Sequence, residues 1–496
     1  MKPIKRFIPR ALLCIFCLLT LDTYILSAQD SKPLFFERQL LSLEECIRFA
    51  LENSFEVKLA QLDFLIVQTD KDSVASVFDS VLSADINYSD DKRALLSTLS
   101  DVHTRENVYA VEASKKFPTG TGLTLSFSDT RISSNLSSVL TTPAHTAQGT
   151  LEIRQPLARN FFGRIDRGNI SATAIAVQNA DLSTKERIEI LIALIEEYYW
   201  GWAFSKKNLE IHRQILERAK KLQETNRKNY DIGNIEKGDF LASQANVLTR
   251  KKDVFIAKDK YQRSEANLKL LINMDAGRSI RPGEKLGYKK LDLNLESCIN
   301  EAFQKRRDYQ QAKKKLEMRN IILKTKGNER WPEVDLVASM AVNGINGKFR
   351  KAAGKISGEN NRDYYLGVEI SLPLENNLAE SEFKKALYEK ENAILTLKDV
   401  ERRIVTEVGN AFRDYRTRET NLTISMKVED LQREKLKEEG KRFGHGRSNT
   451  KRLIDYQQDY LSAQLEVARG IVELEASRIN LDRTLNVILE RYKDVL

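Results

Sequence analysis

Leu151-Glu152-Ile153-Arg154-Gln155-Pro156-Leu157 returns far downstream as Val368-Glu369-Ile370-Ser371-Leu372-Pro373-Leu374. In both copies apolar and polar residues alternate up to a proline, the pattern of a strand with one apolar face, and proline closes the strand because it has no N–H for a ladder. Beyond each proline the period changes from two to three and four. Ile188, Leu191, Ile195, Tyr198, Trp202, Leu209, Leu216 and Leu222 mark one helical face across residues 165–230. Leu387, Ile394, Leu397, Val400, Ile404, Val408, Phe412, Tyr415, Leu422 and Met426 mark another across 378–441. Neither run contains a proline, and at 1.5 Å per residue each predicts a rod of roughly 100 Å, too long for the interior of one globule.

Working outward, three more pairs of segments occur in the same order. Leu43-Glu44-Glu45-Cys46-Ile47-Arg48-Phe49-Ala50 matches Leu295-Glu296-Ser297-Cys298-Ile299-Asn300-Glu301-Ala302, and Phe78-Asp79-Ser80-Val81 matches Trp331-Pro332-Glu333-Val334. Tyr230-Asp231-Ile232-Gly233 matches Phe443-Gly444-His445-Gly446. Four ordered matches define a duplication, with one repeat at 29–274, a linker at 275–292, a second repeat at 293–489 and a tail at 490–496.

Each repeat reads as short helix, strands, long helix, second short helix. The first short helix is expected at 42–75, with Leu59, Leu62, Ile66 and Val74 on one face, and the two long hairpins at 165–274 and 378–489. Two short helices laid end to end match one long helix in length, a plan for an extended coiled-coil wall. Strands are expected at 81–89 and 147–155 in the first repeat and within 334–372 in the second. An additional hairpin, Tyr109 to Phe117 and Leu123 to Asp129, turns at Pro118-Thr119-Gly120-Thr121-Gly122. The segment 89–146 could add barrel strands or stand outside them; the Ser, Thr and Asn of 130–146 favour an external extension. The strands have the nine to eleven residues or so that a tilted strand needs to cross a bilayer, yet four to six cannot close a useful pore. Several chains must therefore contribute strands to one barrel.

Composition removes other classes. Nine prolines and twenty-two glycines in 496 residues leave room for long helices, and the net charge of +10 comes from basic residues interleaved with acidic ones, as in Glu401-Arg402-Arg403, a solvated helix face rather than a nucleic-acid footprint. Lys2, Lys5, Arg6 and Arg10 precede an apolar run and the small pair Ser27-Ala28, which reads as a signal peptide over 1–28. Cys14 and Cys17 fall inside it, and Cys46 and Cys298 read as small buried side chains. His103, His145, His212 and His445 are scattered. Nucleophile elbow, zinc spacing and phosphate loop are all missing, so no enzyme, cofactor or metal is expected.

The opening Leu41-Ser42-Leu43-Glu44-Glu45-Cys46-Ile47-Arg48-Phe49-Ala50-Leu51-Glu52-Asn53-Ser54, the aromatic-led strand entry, the Pro-Leu exit and the paired aromatic-x-x-Gly turns together resemble the TolC-like outer-membrane efflux protein family. The resemblance implies a mainly α fold with a membrane β portion. In it, duplicated helix-strand-helix repeats form a long α-helical barrel or tunnel, joined to a transmembrane β-barrel shared by a homotrimer. It implies a passive outer-membrane conduit extending into the periplasm, passing solutes from a periplasmic adaptor and an inner-membrane pump by efflux or type I secretion. It places Tyr230, Gly233, Phe443 and Gly446 at the periplasmic tip, where adaptors dock. The family's gate positions fall on Asp239, Ser448, Arg452 and Asp455, with Arg447 adjacent. Asp239 and Asp455 fit the family's acidic pattern; Ser448 and Arg452 depart from it, so Arg447 or Arg452 is expected to pair with Asp239. The alternative of another class is a non-conducting periplasmic coiled-coil adaptor, for which one helical hairpin between compact β modules is expected.

Overall fold

The computed structural model describes residues 39–93, 103–134, 142–358 and 361–493; the expected leader at 1–28 lies outside them. In chain order the elements are β1 (Gln39–Leu41), α1 (Leu43–Asn53), α2 (Phe55–Ala75), β2 (Ser80–Asp91), β3 (Thr104–Lys116), β4 (Gly122–Ser134), β5 (Ala144–Pro156), α3 (Arg164–Asp231) and α4 (Lys237–Leu271). The second series is β6 (Ile280–Pro282), α5 (Leu295–Lys305), α6 (Arg307–Glu329), β7 (Glu333–Asn346), α7 (Phe349–Gly354), β8 (Arg362–Ser371), α8 (Asn377–Gly444), α9 (Thr450–Leu485) and α10 (Ile488–Arg491).

The duplication is visible in lengths. Both long helices have 68 residues, their hairpin partners 35 and 36, and the opening helices eleven each. Capping explains where the opening helix stops. Ser42 and Glu45 form a reciprocal capping box at the start of α1, with bonds of 3.1 Å and 2.8 Å, and Ser54 then leaves helical geometry to cap α2 through Glu56 N. The single short helix expected over 42–75 is thus two helices meeting at Ser54, because a serine able to satisfy the next N-terminus competes with helix continuation. The corresponding break in the second repeat falls at Arg306.

α3 packs against α2 along one half of its length and α4 along the other, and touches α6 and α9 of the second repeat. α8 packs likewise against α6 and α9. The packing order is therefore α2, α3, α6, α8 in the half nearer the sheet, and α4, α3, α9, α8 in the half leading to the tips. Where the halves meet, the largest core gathers Cys46, Ile47, Ile192, Ile195, Tyr199, Trp202, Leu268 and Ile272. A smaller core gathers Cys298, Ala302, Val400, Ile404, Val408 and Leu481. Both cysteines are buried free thiols at equivalent places. The segment between the repeats crosses this level: β6 pairs in parallel with β1, and Leu286, Leu291 and Leu293 pack on the helices.

The main sheet has the order β2-β3-β4-β5-β7-β8, antiparallel throughout. Here the expectation of an external extension is corrected. β3 and β4 pair along their whole lengths with β2 and β5, so the additional hairpin lies inside the sheet. The polar composition of 130–146 misled because an alternating strand needs polar residues on one face; residues 135–141 of that stretch lie outside the described ones. The hairpin turns beside the start of α3. Gly120 has φ +79° and a Cβ there would lie 3.1 Å from Asn160 O, so the turn requires glycine.

Candidate channel wall and helical tip

Strand register sorts the sheet into two faces. On one, Leu82, Ala113, Leu125, Leu151, Met340 and Tyr364 form a row across all six strands, and Leu123, Ile153, Ala338 and Leu366 form the row beside it. On the other, Ser83, Glu112, Ser126, Thr150, Ala341 and Asp363 form the corresponding row. Nearer the helices this polar face holds Arg154 between Asp335, at 3.2 Å, and Glu369, at 2.6 Å. The apolar face is open, with Leu82 75%, Ile86 77%, Leu366 74% and Ile370 70% exposed. An aqueous setting would penalise so large a patch, whereas a bilayer on that side and water on the other suits both faces.

The open edges are the second feature. Among the described residues of one chain, β2 and β8 have no strand partner on their outer sides. The helical layer ends at the same two sides, with α2 and α4 on one and α8 on the other. Those helices carry unpacked apolar stripes: Phe55, Leu59, Leu62 and Ile66 on α2, Leu248, Phe255 and Leu270 on α4, and Tyr388, Leu395, Ile424 and Leu431 on α8. Leu59, Leu62 and Ile66, marked from the sequence as a helical face, are thus exposed within one chain.

At the far end of the helices, Gly233 and Gly446 adopt φ +77° and +69°, and their N–H groups donate to Tyr230 O at 2.9 Å and Phe443 O at 3.1 Å. Both anticipated turns therefore exist and both need the left-handed backbone that glycine supplies. Tyr230 stacks on Phe240 at 5.4 Å between ring centres. Asn226, fully buried on α3, donates to Thr450 Oγ1 at 3.0 Å and so ties the two hairpins together. Ser448 donates to the buried Glu439, and Arg442 lies 4.0 Å from that carboxylate. Asp239, Arg447, Arg452 and Asp455 share this end, but among the described residues no ion pair joins Asp239 to either arginine; Arg452, in the first turn of α9, donates its N–H to the capping Asn449 Oδ1 at 2.9 Å.

A buried charge cluster between the repeats was missed from sequence. Glu189 and Glu196, two turns apart and flanking Leu191 and Ile195, are both fully buried on α3. Glu189 pairs with Arg307 of α6 and accepts Ile488 N–H at 3.1 Å. Glu196 meets Arg478 of α9 at 3.0 Å, and Arg478 also holds Glu475 at 2.7 Å and Asp482 at 3.0 Å. Burial raises both glutamates above the ordinary carboxylate range, against the pull of their arginines. The available signal was two acids seven positions apart inside an apolar stripe. Among the described residues no group of three or more His, Cys, Asp or Glu is placed to hold a metal ion, and no helix is long and apolar enough to cross a membrane.

Rods of this length, joined to an edge-open sheet with one apolar and one polar face, make a fold that solved outer-membrane channels share. Residues 91–274 match the family described as Outer membrane efflux protein. The chain is similar in structure to the outer-membrane channel OprN (TM-score 0.67, 17% identity, covering 89% of each chain). It is similar to the Campylobacter jejuni CmeC outer membrane channel (TM-score 0.67, 13% identity, covering 91% of this chain and 89% of that one). The open state of the Neisseria gonorrhoeae MtrE outer membrane channel is comparable (TM-score 0.65, 16% identity, covering 89% of this chain and 88% of that one). No curated protein sequence matches. The resemblance read from the repeat anchors thus holds, and the fold is the mainly helical one, with its sheet, that the resemblance implied.

Proposed function

We propose that the chain is one subunit of a homotrimeric outer-membrane efflux channel, a passive conduit that catalyses nothing. The observation that carries this reading is the coincidence of open edges: β2 with α2 and α4 on one side, β8 with α8 on the other. A head-to-tail ring pairs β8 of each copy with β2 of the next while the exposed apolar stripes of the helices close on one another. Three six-stranded sheets give a barrel of roughly eighteen strands, a size that encloses an aqueous channel. The apolar rows face lipid and the polar rows face water, while the helices continue the conduit through the periplasm.

Energy and most substrate choice then come from an inner-membrane pump, engaged through a periplasmic adaptor at the turns of Tyr230–Gly233 and Phe443–Gly446. Asp239, Arg447, Ser448, Arg452 and Asp455 ring the same end and are the gate candidates, pairing between copies rather than within one. The test has two parts. Membrane extracts are run unheated and heated on denaturing gels, where a heat-sensitive trimer is expected; the purified protein is then added to planar bilayers, where stepwise conductance is expected. A water-soluble single copy without affinity for lipid overturns the reading. Arg452→Ala is expected to raise closed-state leak, and unchanged leak removes Arg452 from the gate.

A further inference from the structure

The connection between β7 and β8 folds back onto the sheet as α7, and it does so on the apolar face. Gly344 and Gly149 share that face with Val342 and Leu151 through the strand register. A Cβ at Gly344 would lie 2.2 Å from Ala352 O, and one at Gly149 would lie 3.9 Å from Ile356. Two glycines therefore make the seat, Ala352 is fully buried in it, and Phe349 packs edge-on against His145 at 6.2 Å. Lys355 fastens the end of the helix by donating to Ile345 O at 2.9 Å.

The level of this seat matters. Below it, toward the helices, the outer face is apolar up to the row that ends on Tyr364; at the seat stand Tyr109 and Arg362 and above it Arg131, the aromatic and then basic succession of a membrane boundary. The helices lie at the other end of the strands, so this boundary is the external one. Lys348, Arg350, Lys351 and Lys355 of the α7 segment are all exposed, and among the described residues no carboxylate pairs with the first three. Asp129, the acid beneath, is occupied by His145 at 2.8 Å.

We propose that α7 is an interfacial helix that binds the phosphate groups of the phosphorylated glycolipid in the outer leaflet, with Lys348, Arg350 and Lys351 as the phosphate-binding cations and Arg131 and Arg362 extending the basic belt. This rests on the channel reading, which sets the apolar face against lipid. A helix that buries small residues against the barrel, leaves an aromatic at the hydrocarbon boundary and points uncompensated cations outward has the chemistry of a headgroup site. Phosphatidylglycerol is the other anionic candidate, but the external position favours the glycolipid.

The full-length protein in neutral detergent is titrated with fluorescent diphosphoryl lipid A, its dephosphorylated form and phosphatidylglycerol. Saturable binding of the diphosphoryl form is expected, and the combined Lys348→Gln, Arg350→Gln, Lys351→Gln variant is expected to bind it about tenfold or more weakly, as the loss of three surface cations implies. Gly344→Val, which keeps every cation but obstructs the seat, is expected to show a similar loss. Equal binding by wild type and the triple variant overturns the proposal, as does equal binding of the dephosphorylated form or of phosphatidylglycerol. Conductance in planar bilayers keeps the two readings apart: a wild-type protein that neither inserts nor conducts fails as a channel, whereas a triple variant that conducts normally and binds lipid A undiminished fails only here.

Discussion

The first repeat and the second are the same helical device with different contents at the level where they meet. Position for position, α3 and α8 run in step, so Glu189 answers to Arg402, Glu196 to Gly409, Tyr199 to Phe412 and Trp202 to Tyr415. The lengths agree, but the contents differ: α3 carries Glu189 and Glu196 where α8 carries Arg402 and Gly409, and arginines of the second repeat receive those two glutamates. Two halves with matching helices risk packing against the wrong partner, and a buried pair of fixed sign favours one arrangement.

Breaking that pair should give the largest effect. Glu189→Ala leaves the partly buried Arg307 without its carboxylate and removes the acceptor of Ile488 N–H, for an expected loss of about 3 kcal/mol. Arg402→Ala, at the exposed equivalent position, should stay within about 0.5 kcal/mol. Thermal unfolding in detergent followed by tryptophan fluorescence measures both, and similar losses would show that the asymmetry carries no stability.

The two tyrosines come next. Tyr199 donates to Leu41 O at 3.1 Å and accepts Gly283 N–H and Glu284 N–H, each at 3.2 Å, whereas among the described residues Tyr415 accepts Leu291 N–H alone, at 3.2 Å. Both hydroxyls anchor the segment between the repeats. Tyr199→Phe strands more backbone groups and should cost about 2–3 kcal/mol, against about 1 kcal/mol for Tyr415→Phe. Equal costs in the same unfolding measurement would mean that water replaces the lost hydroxyl.

Glu196 gives a pH test. Burial raises its carboxyl above the usual range while Arg478 and Arg491 oppose the shift. A raised folded value means the native state holds the proton longer, so its contribution to stability is fully present below about 4.3, the unfolded value, and is lost as pH rises through the folded one. Glu196→Gln should flatten that part of the stability profile, although Glu189, shifted the same way, leaves some slope. A variant profile parallel to the wild type from pH 4 to 8 or so would show that the arginines dominate.

The helices, the four main strand blocks and both glycine turns were legible in sequence because each rests on local periodicity or backbone chemistry. Capping at Ser54 was available but is outweighed in the sequence by the apolar pattern running through it. The place of the extra hairpin was not legible, since Tyr109 to Asp129 alternates as any two-faced strand does and only pairing with β2 and β5 decides its location. Seating of α7 was hidden for a similar reason: Gly344 and Gly149 have meaning only once the register brings them to one face. At the tip, the turn residues could be read but not their support, because Asn226 and Thr450 meet only across the two hairpins.

Those turns supply the smallest effect and the sharpest control. Gly233 and Gly446 each sit at positive φ with no neighbouring atom within 4 Å of a built Cβ, so alanine meets backbone strain and nothing else. Gly233→Ala and Gly446→Ala should each cost about 1 kcal/mol, and by the same amount, since the repeats are alike here. At the equator unequal surroundings make matched positions unequal in cost; at the tips equal surroundings should make them equal. Unfolding temperatures that differ widely between the two alanine variants would place a further contact on one hairpin, and the Tyr230–Phe240 stack, which the second hairpin lacks, is where to seek it.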